Sequence, residues 1–137
     1  MQITFHVEGK PIGQPRQRHR IISKGPKAFV HNYTPVSGLA ANWKRLIKFA
    51  ATEVMVSKMT PMFLGPVSVS LLFLFQVRSK PQKFRTKKPD LDNLAKLVLD
   101  AMNGVVYADD NQVAVLTLSK RESATSCGVW VMVEGLE

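Results

Sequence analysis

The run from Val67 to Val77 limits what this chain can fold into more than any other stretch. Val67, Val69, Leu71, Phe73, Phe75 and Val77 alternate with a second set that also contains Leu72 and Leu74. A period of two makes the run a strand, and apolar side chains in both phases predict an interior strand covered on both faces. The chain is therefore built around a sheet. The wider apolar stretch from Pro61 holds two prolines, two serines and Gln76, which excludes a membrane-spanning helix there.

Other segments supply partners for that strand. Gln2 to Glu8 places Ile3, Phe5 and Val7 on one side, the pattern of a half-buried strand. Gly9 to Thr34 reads as a basic loop in which only Ala28 to Tyr33 is strand-like. Ser37 can cap a helix that turns Leu39, Trp43, Leu46, Ile47, Ala50 and Val54 to the sheet and Arg45, Lys48 and Thr52 to solvent. A second helix is predicted over Leu91 to Asn103, with Leu91, Leu94, Ala95, Val98, Ala101 and Met102 as its stripe and Gly104 as its stop. Val113 to Lys120 and Gly128 to Glu134 read as strands joined by the polar turn from Ser123 to Ser126. The expected fold class is α+β, a mixed β-sheet with two main helices. At 137 residues, 45% of them hydrophobic, one domain over 1–137 is expected.

Charge narrows the partner. Nineteen Lys and Arg against ten Asp and Glu leave +9, which favours an acidic polymer, nucleic acid before an anionic membrane surface. The charge is also segregated. Arg78, Lys80, Lys83, Arg85, Lys87 and Lys88 follow one another without an acid, and just past Pro89 come five of the ten acids: Asp90, Asp92, Asp100, Asp109 and Asp110. The single Cys127 excludes an internal disulfide, and His6, His19 and His31 offer no zinc spacing. The first ten residues lack the apolar core of a signal peptide, so a reducing cytoplasm and no membrane partner are expected. Gly9-Lys10 is no phosphate-binding P-loop, because Pro11 stands where Ser or Thr is required.

Each acidic feature has a structural explanation when taken singly. Asp90 can be a helix N-cap and Asp92 a first-turn acid, each contributing about 1 kcal/mol. Lys96, four residues after Asp92, can form a surface ion pair of a few tenths of a kcal/mol, and Asp109-Asp110 can be a polar turn. Together, beside a strongly basic surface, they meet the needs of a metal-dependent phosphodiester cutter. Carboxylates are hard ligands for Mg²⁺, and an ammonium such as Lys96 can stabilise charge developing on a phosphate or hold a water. Arg16, Arg18, Arg20, Lys24 and Lys27, with Lys83, Arg85, Lys87 and Lys88, are the candidate backbone contacts. Phe29, Tyr33 and Phe84, set among these cations, can stack on bases or pack locally. Asp100 reads as an exposed or lysine-paired acid.

The stretch Lys88-Pro89-Asp90-Leu91-Asp92-Asn93-Leu94-Ala95-Lys96, continued through Asp100-Ala101-Met102-Asn103-Gly104 to Tyr107-Ala108-Asp109-Asp110-Asn111-Gln112-Val113, closely resembles the signature region of the RusA family of Holliday junction resolvases. Gly9-Lys10-Pro11, Pro15-Arg16-x-Arg18 and Tyr33-Thr34-Pro35 resemble that family's N-terminal pattern. The resemblance implies a RusA-like fold, metal-binding carboxylates at Asp90, Asp92 and Asp110, and a catalytic lysine at Lys96. It further implies an Mg²⁺-dependent endonuclease, carried in bacteria largely by prophages and phages. Such an enzyme acts as a homodimer on four-way junction DNA, by paired symmetric nicks, in recombination and repair. The competing reading is a non-catalytic basic DNA- or RNA-binding module whose acidic helix start is purely structural.

Overall fold

A computed structural model describes residues 1–15, 18–24, 27–33 and 38–137, with the backbone alone considered between 18 and 33. The elements are β1 (Gln2–Glu8), β2 (Arg18–Lys24), β3 (Lys27–Tyr33), α1 (Gly38–Ser57), β4 (Val67–Gln76), α2 (Leu91–Met102), a 3-10 turn (Asp110–Gln112), β5 (Val113–Ser123) and β6 (Gly128–Gly135). Four strands form one sheet in the order β1-β6-β4-β5. Only β4 and β5 run parallel; β1 with β6 and β4 with β6 are antiparallel. The α+β expectation of a mixed sheet with two main helices holds. The parallel pair is joined through α2, because a parallel neighbour cannot be reached by a tight turn.

One core unites the layers. Ile3, Phe5 and Val7, the odd-numbered residues Val67 to Phe75, and Val129, Val131 and Val133 share one face of the sheet, and both helices pack on it. Burying each such side chain stabilises the fold by about 1.5–3 kcal/mol.

Four expectations need correction. β4 is interior, as its two apolar phases require, but only its odd-numbered face lies under a layer. Ser68, Ser70, Leu72 and Leu74 are half-buried. Leu72 is flanked in the sheet by Trp130 and Ser119, and Leu74 by Gly128 and Arg121, so in-plane neighbours rather than a second layer shield this phase. On α1 the buried residues are Ala40, Trp43, Ile47, Ala51 and Met55, while Leu39 and Leu46 face out. The small Ala40 and Ala51 let the helix approach closely, which rotates the packed stripe away from the two leucines; the cap expected at Ser37 lies outside the described residues. The polar segment after β5 does not make a hairpin: β4 lies between β5 and β6, so the chain crosses its end. Gln76 Nε2 donates to Ala124 O at 3.3 Å at that crossing.

The fourth correction is in the basic segment. Arg18–Lys24 and Lys27–Tyr33 are an antiparallel pair, with Arg18 opposite Tyr33 and Lys24 opposite Lys27. The β-formers Ile21 and Ile22 were masked in the sequence by the cations around them. Among the described residues no helix is long and apolar enough to cross a membrane.

Candidate active site

Helix α2 sets the geometry. Its buried side is Leu94, Ala95, Leu97, Val98, Ala101 and Met102, which leaves Asp92 and Lys96 on the exposed side. Asp90 is the N-cap, with extended backbone (φ −67°, ψ 145°), and its carbonyl accepts from Leu94 N at 3.0 Å. Its carboxylate makes no capping hydrogen bond. Capping therefore does not account for this side chain, which stands exposed beside the first turn. The N-terminal segment crosses the same turn. Gln14 N donates to Asn93 O at 3.1 Å, and a Cβ on Gly13 would sit 2.8 Å from Asn93 Nδ2. That close approach brings the start of the basic hairpin segment against the acidic helix start.

Beyond α2 the chain reverses at Gly104, whose φ of +77° suits a residue without Cβ, and Gly104 N donates to Tyr107 O at 2.7 Å. Tyr107 is fully buried and its hydroxyl donates to Leu99 O at 2.8 Å. Burial first, then the charges of Asp110, Asp100 and Asp109, hold its phenol above the ordinary tyrosine range, so it stays protonated. The next turn separates two adjacent acids. Asp109 caps the 3-10 turn, accepting from Asp110 N at 2.9 Å within a reciprocal capping box with Gln112. Asp110 instead turns toward α2, its side chain one quarter exposed, and its Oδ2 lies 3.5 Å from Lys96 Nζ.

Lys96 also pairs with Asp100 Oδ1 at 3.0 Å. Its partner is thus the acid four residues on, and the anticipated pair with Asp92 four residues back is replaced. The Asp100 hydrogen bond and charge, with Asp110 adding to them, raise the lysine above its ordinary range and keep it an ammonium. The fold therefore joins Lys96, Asp100 and Asp110. It does not draw Asp90, Asp92 and Asp110 into a closed triad: among the described residues no three His, Cys, Asp or Glu side chains lie close enough together to hold an ion. The donor chemistry still suits a hard cation, since every acid here offers oxygen and the Asp90 carboxylate is not engaged in the cap.

The basic loop leads directly into the helix start. Lys83, Lys87 and Lys88 are exposed, but Arg85 is committed to the protein. Its Nη1 donates to Glu122 Oε2 at 2.8 Å, Nη2 to Lys88 O at 3.2 Å, and the guanidinium lies 4.3 Å over the Phe75 ring. Phe84 is 57% exposed, with Lys83 and Arg121 cations 5.5 and 5.4 Å from its ring, so it is presented outward rather than packed. A cleft of about 450 Å³ is lined by Lys10, Gln76, Arg85, Lys87 and Cys127. Arg16 lies outside the described residues, and for Arg18, Arg20, Lys24, Lys27, Phe29 and Tyr33 only the backbone is placed. Sequence reasoning missed Lys10, Arg121 and Gln112. The last had a signal, a Gln three residues after Asp109.

This arrangement sits on a recognisable scaffold. The profile of the endodeoxyribonuclease RusA matches residues 8–134. The chain belongs to the RusA family. It is also 31% identical, over 131 aligned residues covering 86% of each chain, to the uncharacterized protein YqaN of Bacillus subtilis (strain 168). RusA membership implies endodeoxyribonuclease activity.

Proposed function

We propose that this RusA protein is an Mg²⁺-dependent endonuclease that resolves four-way DNA junctions by paired symmetric nicks in recombination and repair. The observation that carries the reading is the fold-back of Asp110 onto Lys96, on the same helix whose start presents Asp90 and Asp92. Asp90, Asp92 and Asp110 would hold the cation; when bound, Mg²⁺ supplies Lewis-acid stabilisation of the phosphate and a more acidic water. Lys96, kept charged by Asp100, would donate to a phosphate oxygen as charge builds on it. Asp109 holds the turn and is no ligand in this reading. Lys87, Lys88, Lys83 and Lys10 grip the backbone on one side of the site, with Arg16, Arg18, Arg20, Lys24 and Lys27 on the N-terminal segment. Arg85 supports the loop.

Resolution needs two cuts in strands of like polarity, and one small site cannot make both at once. A two-fold homodimer presents two sites related by the junction's own axis. The test is cleavage of four-way, forked and linear duplex DNA with and without Mg²⁺, by the parent, Asp92→Asn and Lys96→Ala. The parent cuts only the branched DNA and only with a divalent ion, and both folded variants bind the junction but do not cut. Binding without cutting by the parent in any divalent ion points instead to a binding module. Single unpaired nicks on a supercoiled cruciform from a one-chain particle would overturn the dimer.

A further inference from the structure

We propose that Lys120 is a positioning residue for the acidic start of α2, acting through the backbone that enters Asp90; the proposal rests on Asp90 being a metal-holding acid. Lys120 lies on β5 opposite Phe73, in the phase that faces the helices, and is half-buried. Its Nζ donates to Lys87 O at 2.8 Å and to Pro89 O at 2.9 Å. Those carbonyls flank Lys88, and the second belongs to the residue immediately before Asp90. No acid shares this ammonium among the described residues: its partners are two backbone oxygens. A cation half-removed from water and bonded only to carbonyls forms strong charge-assisted hydrogen bonds, so the two peptide groups are held at fixed places relative to the sheet.

The same strand grips the rest of the loop. Arg85 N donates to Lys120 O at 2.9 Å, Glu122 N to Gln82 O at 3.1 Å, and Gln82 N to Glu122 Oε1 at 2.9 Å. Segment 82–89 is thus tied along the far end of β5, and Lys120 is its last tie before the helix. The carboxylate of Asp90 has no capping bond to hold it. Its orientation therefore depends on the backbone delivered to it, and in this molecule Lys120 fixes that backbone. Supporting groups of this kind typically change metal affinity by about 10–100-fold when removed.

The test uses the full chain with Lys120→Met, which keeps the stem and loses every donor, and Lys120→Gln, which loses the charge but keeps two amide hydrogens. The readouts are the Mg²⁺ concentration for half-maximal junction cleavage and the salt dependence of metal-free junction binding. Lys120→Met is expected to raise the Mg²⁺ requirement about tenfold with the salt slope unchanged, and Lys120→Gln to restore most of it. A parental Mg²⁺ requirement in folded Lys120→Met overturns the proposal. So does a salt slope flattened by about 0.9 in both variants, the mark of a lost phosphate contact. If Lys120→Met does not fold, Lys120→Gln decides: a Mg²⁺ requirement that stays raised in part, with an unchanged slope, supports the clamp, and a parental requirement or a flattened slope overturns it. Asp90→Asn separates the underlying assumption. Parental cutting by Asp90→Asn sinks the metal role of Asp90 and the clamp with it, whereas a dead Asp90→Asn beside a normal Lys120→Met sinks the clamp alone.

Discussion

The basic loop before α2 and the acidic turn after it are both irregular, and both deliver charge to one place, yet they are held by opposite chemistry. The loop is fixed by ions: Lys120 on two carbonyls, and Arg85 on Glu122 and Lys88 O. The turn is fixed by a neutral amide. Gln112 Nε2 donates to Phe63 O and Gly65 O at 2.9 Å each, while its Oε1 accepts from Ala108 N and Asp109 N. With Lys96 already 3.5 Å from Asp110, a second, anchoring cation at the turn would further compensate the negative charge on which ion binding depends, whereas in the loop the anchoring charges have the same sign as the surface they support. In each region charge divides into members that hold the backbone and members that face outward.

The sharpest way to break this comparison is to neutralise the two adjacent acids separately. Asp110→Asn should lower cleavage about a thousandfold, on the scale of losing a preorganised electrostatic contact. Asp109→Asn should cut within about threefold of the parent and unfold at nearly the same urea concentration, because Asn caps a turn about as well as Asp. Equal losses in the two variants, measured on the same junction, would mean that the capping role does not exclude Asp109 from the chemistry.

The two anchors differ in how their loss should register. Glu122→Leu leaves Arg85 partly buried without its carboxylate and should cost about 2–3 kcal/mol in urea unfolding, with Arg85→Met added to it restoring much of the loss. Gln112→Leu removes four hydrogen bonds, one of them to the carbonyl of the buried Phe63, and should cost about 2 kcal/mol, with no recovery from any charge substitution. Raised salt screens the Arg85–Glu122 pair, which the Gln112 variant keeps and the Glu122 variant lacks, so if it weakens the Glu122 variant more than the Gln112 variant, the ionic and neutral assignments are reversed.

What could be read from the sequence follows the same division. The interior strand, the half-buried β1 and the limits of α2 were legible because periodicity reports burial directly. Of the acids grouped with Lys96, the fold brings Asp110 to the lysine, adds Asp100, and leaves Asp90 and Asp92 at the helix start. The hairpin strand Arg18–Lys24 was not legible, since cations mask a β-prone pair of isoleucines. Nor was the seam of α1, because Leu39 and Leu46 outrank Ala40 and Ala51 in hydrophobicity, while close packing selects the alanines. At the site, sequence gives the sign of each charge but not its engagement. Nothing in Arg78–Lys88 distinguishes Arg85, turned inward to Glu122, from the exposed Lys87, because the deciding partner lies on a strand more than thirty residues away.

The smallest expected effect asks which acid holds Lys96. Asp100, closer at 3.0 Å, and then Asp110 at 3.5 Å raise the lysine above its ordinary 10.5. A group whose folded value lies above its unfolded one contributes stability in full below the unfolded value and loses it as pH climbs through the folded one. The parent and Lys96→Met should therefore differ by a constant amount up to about pH 9, and the difference should shrink above pH 10.5. The lysine is 57% exposed, so solvent screens the pair and the total stays well under the cost of losing either anchor. Tyr107 also loses its contribution as pH rises, because its phenol is held above the ordinary value, but it is present in both proteins and largely cancels in the difference. Asp100→Asn should abolish most of the alkaline change and Asp110→Asn only a little. Urea midpoints measured in steps from pH 8 to 11.5 resolve the order. If Asp110→Asn removes the larger share, the turn and not the helix is what holds the lysine, and Asp110 would then be committed to Lys96 much as Asp109 is to its cap.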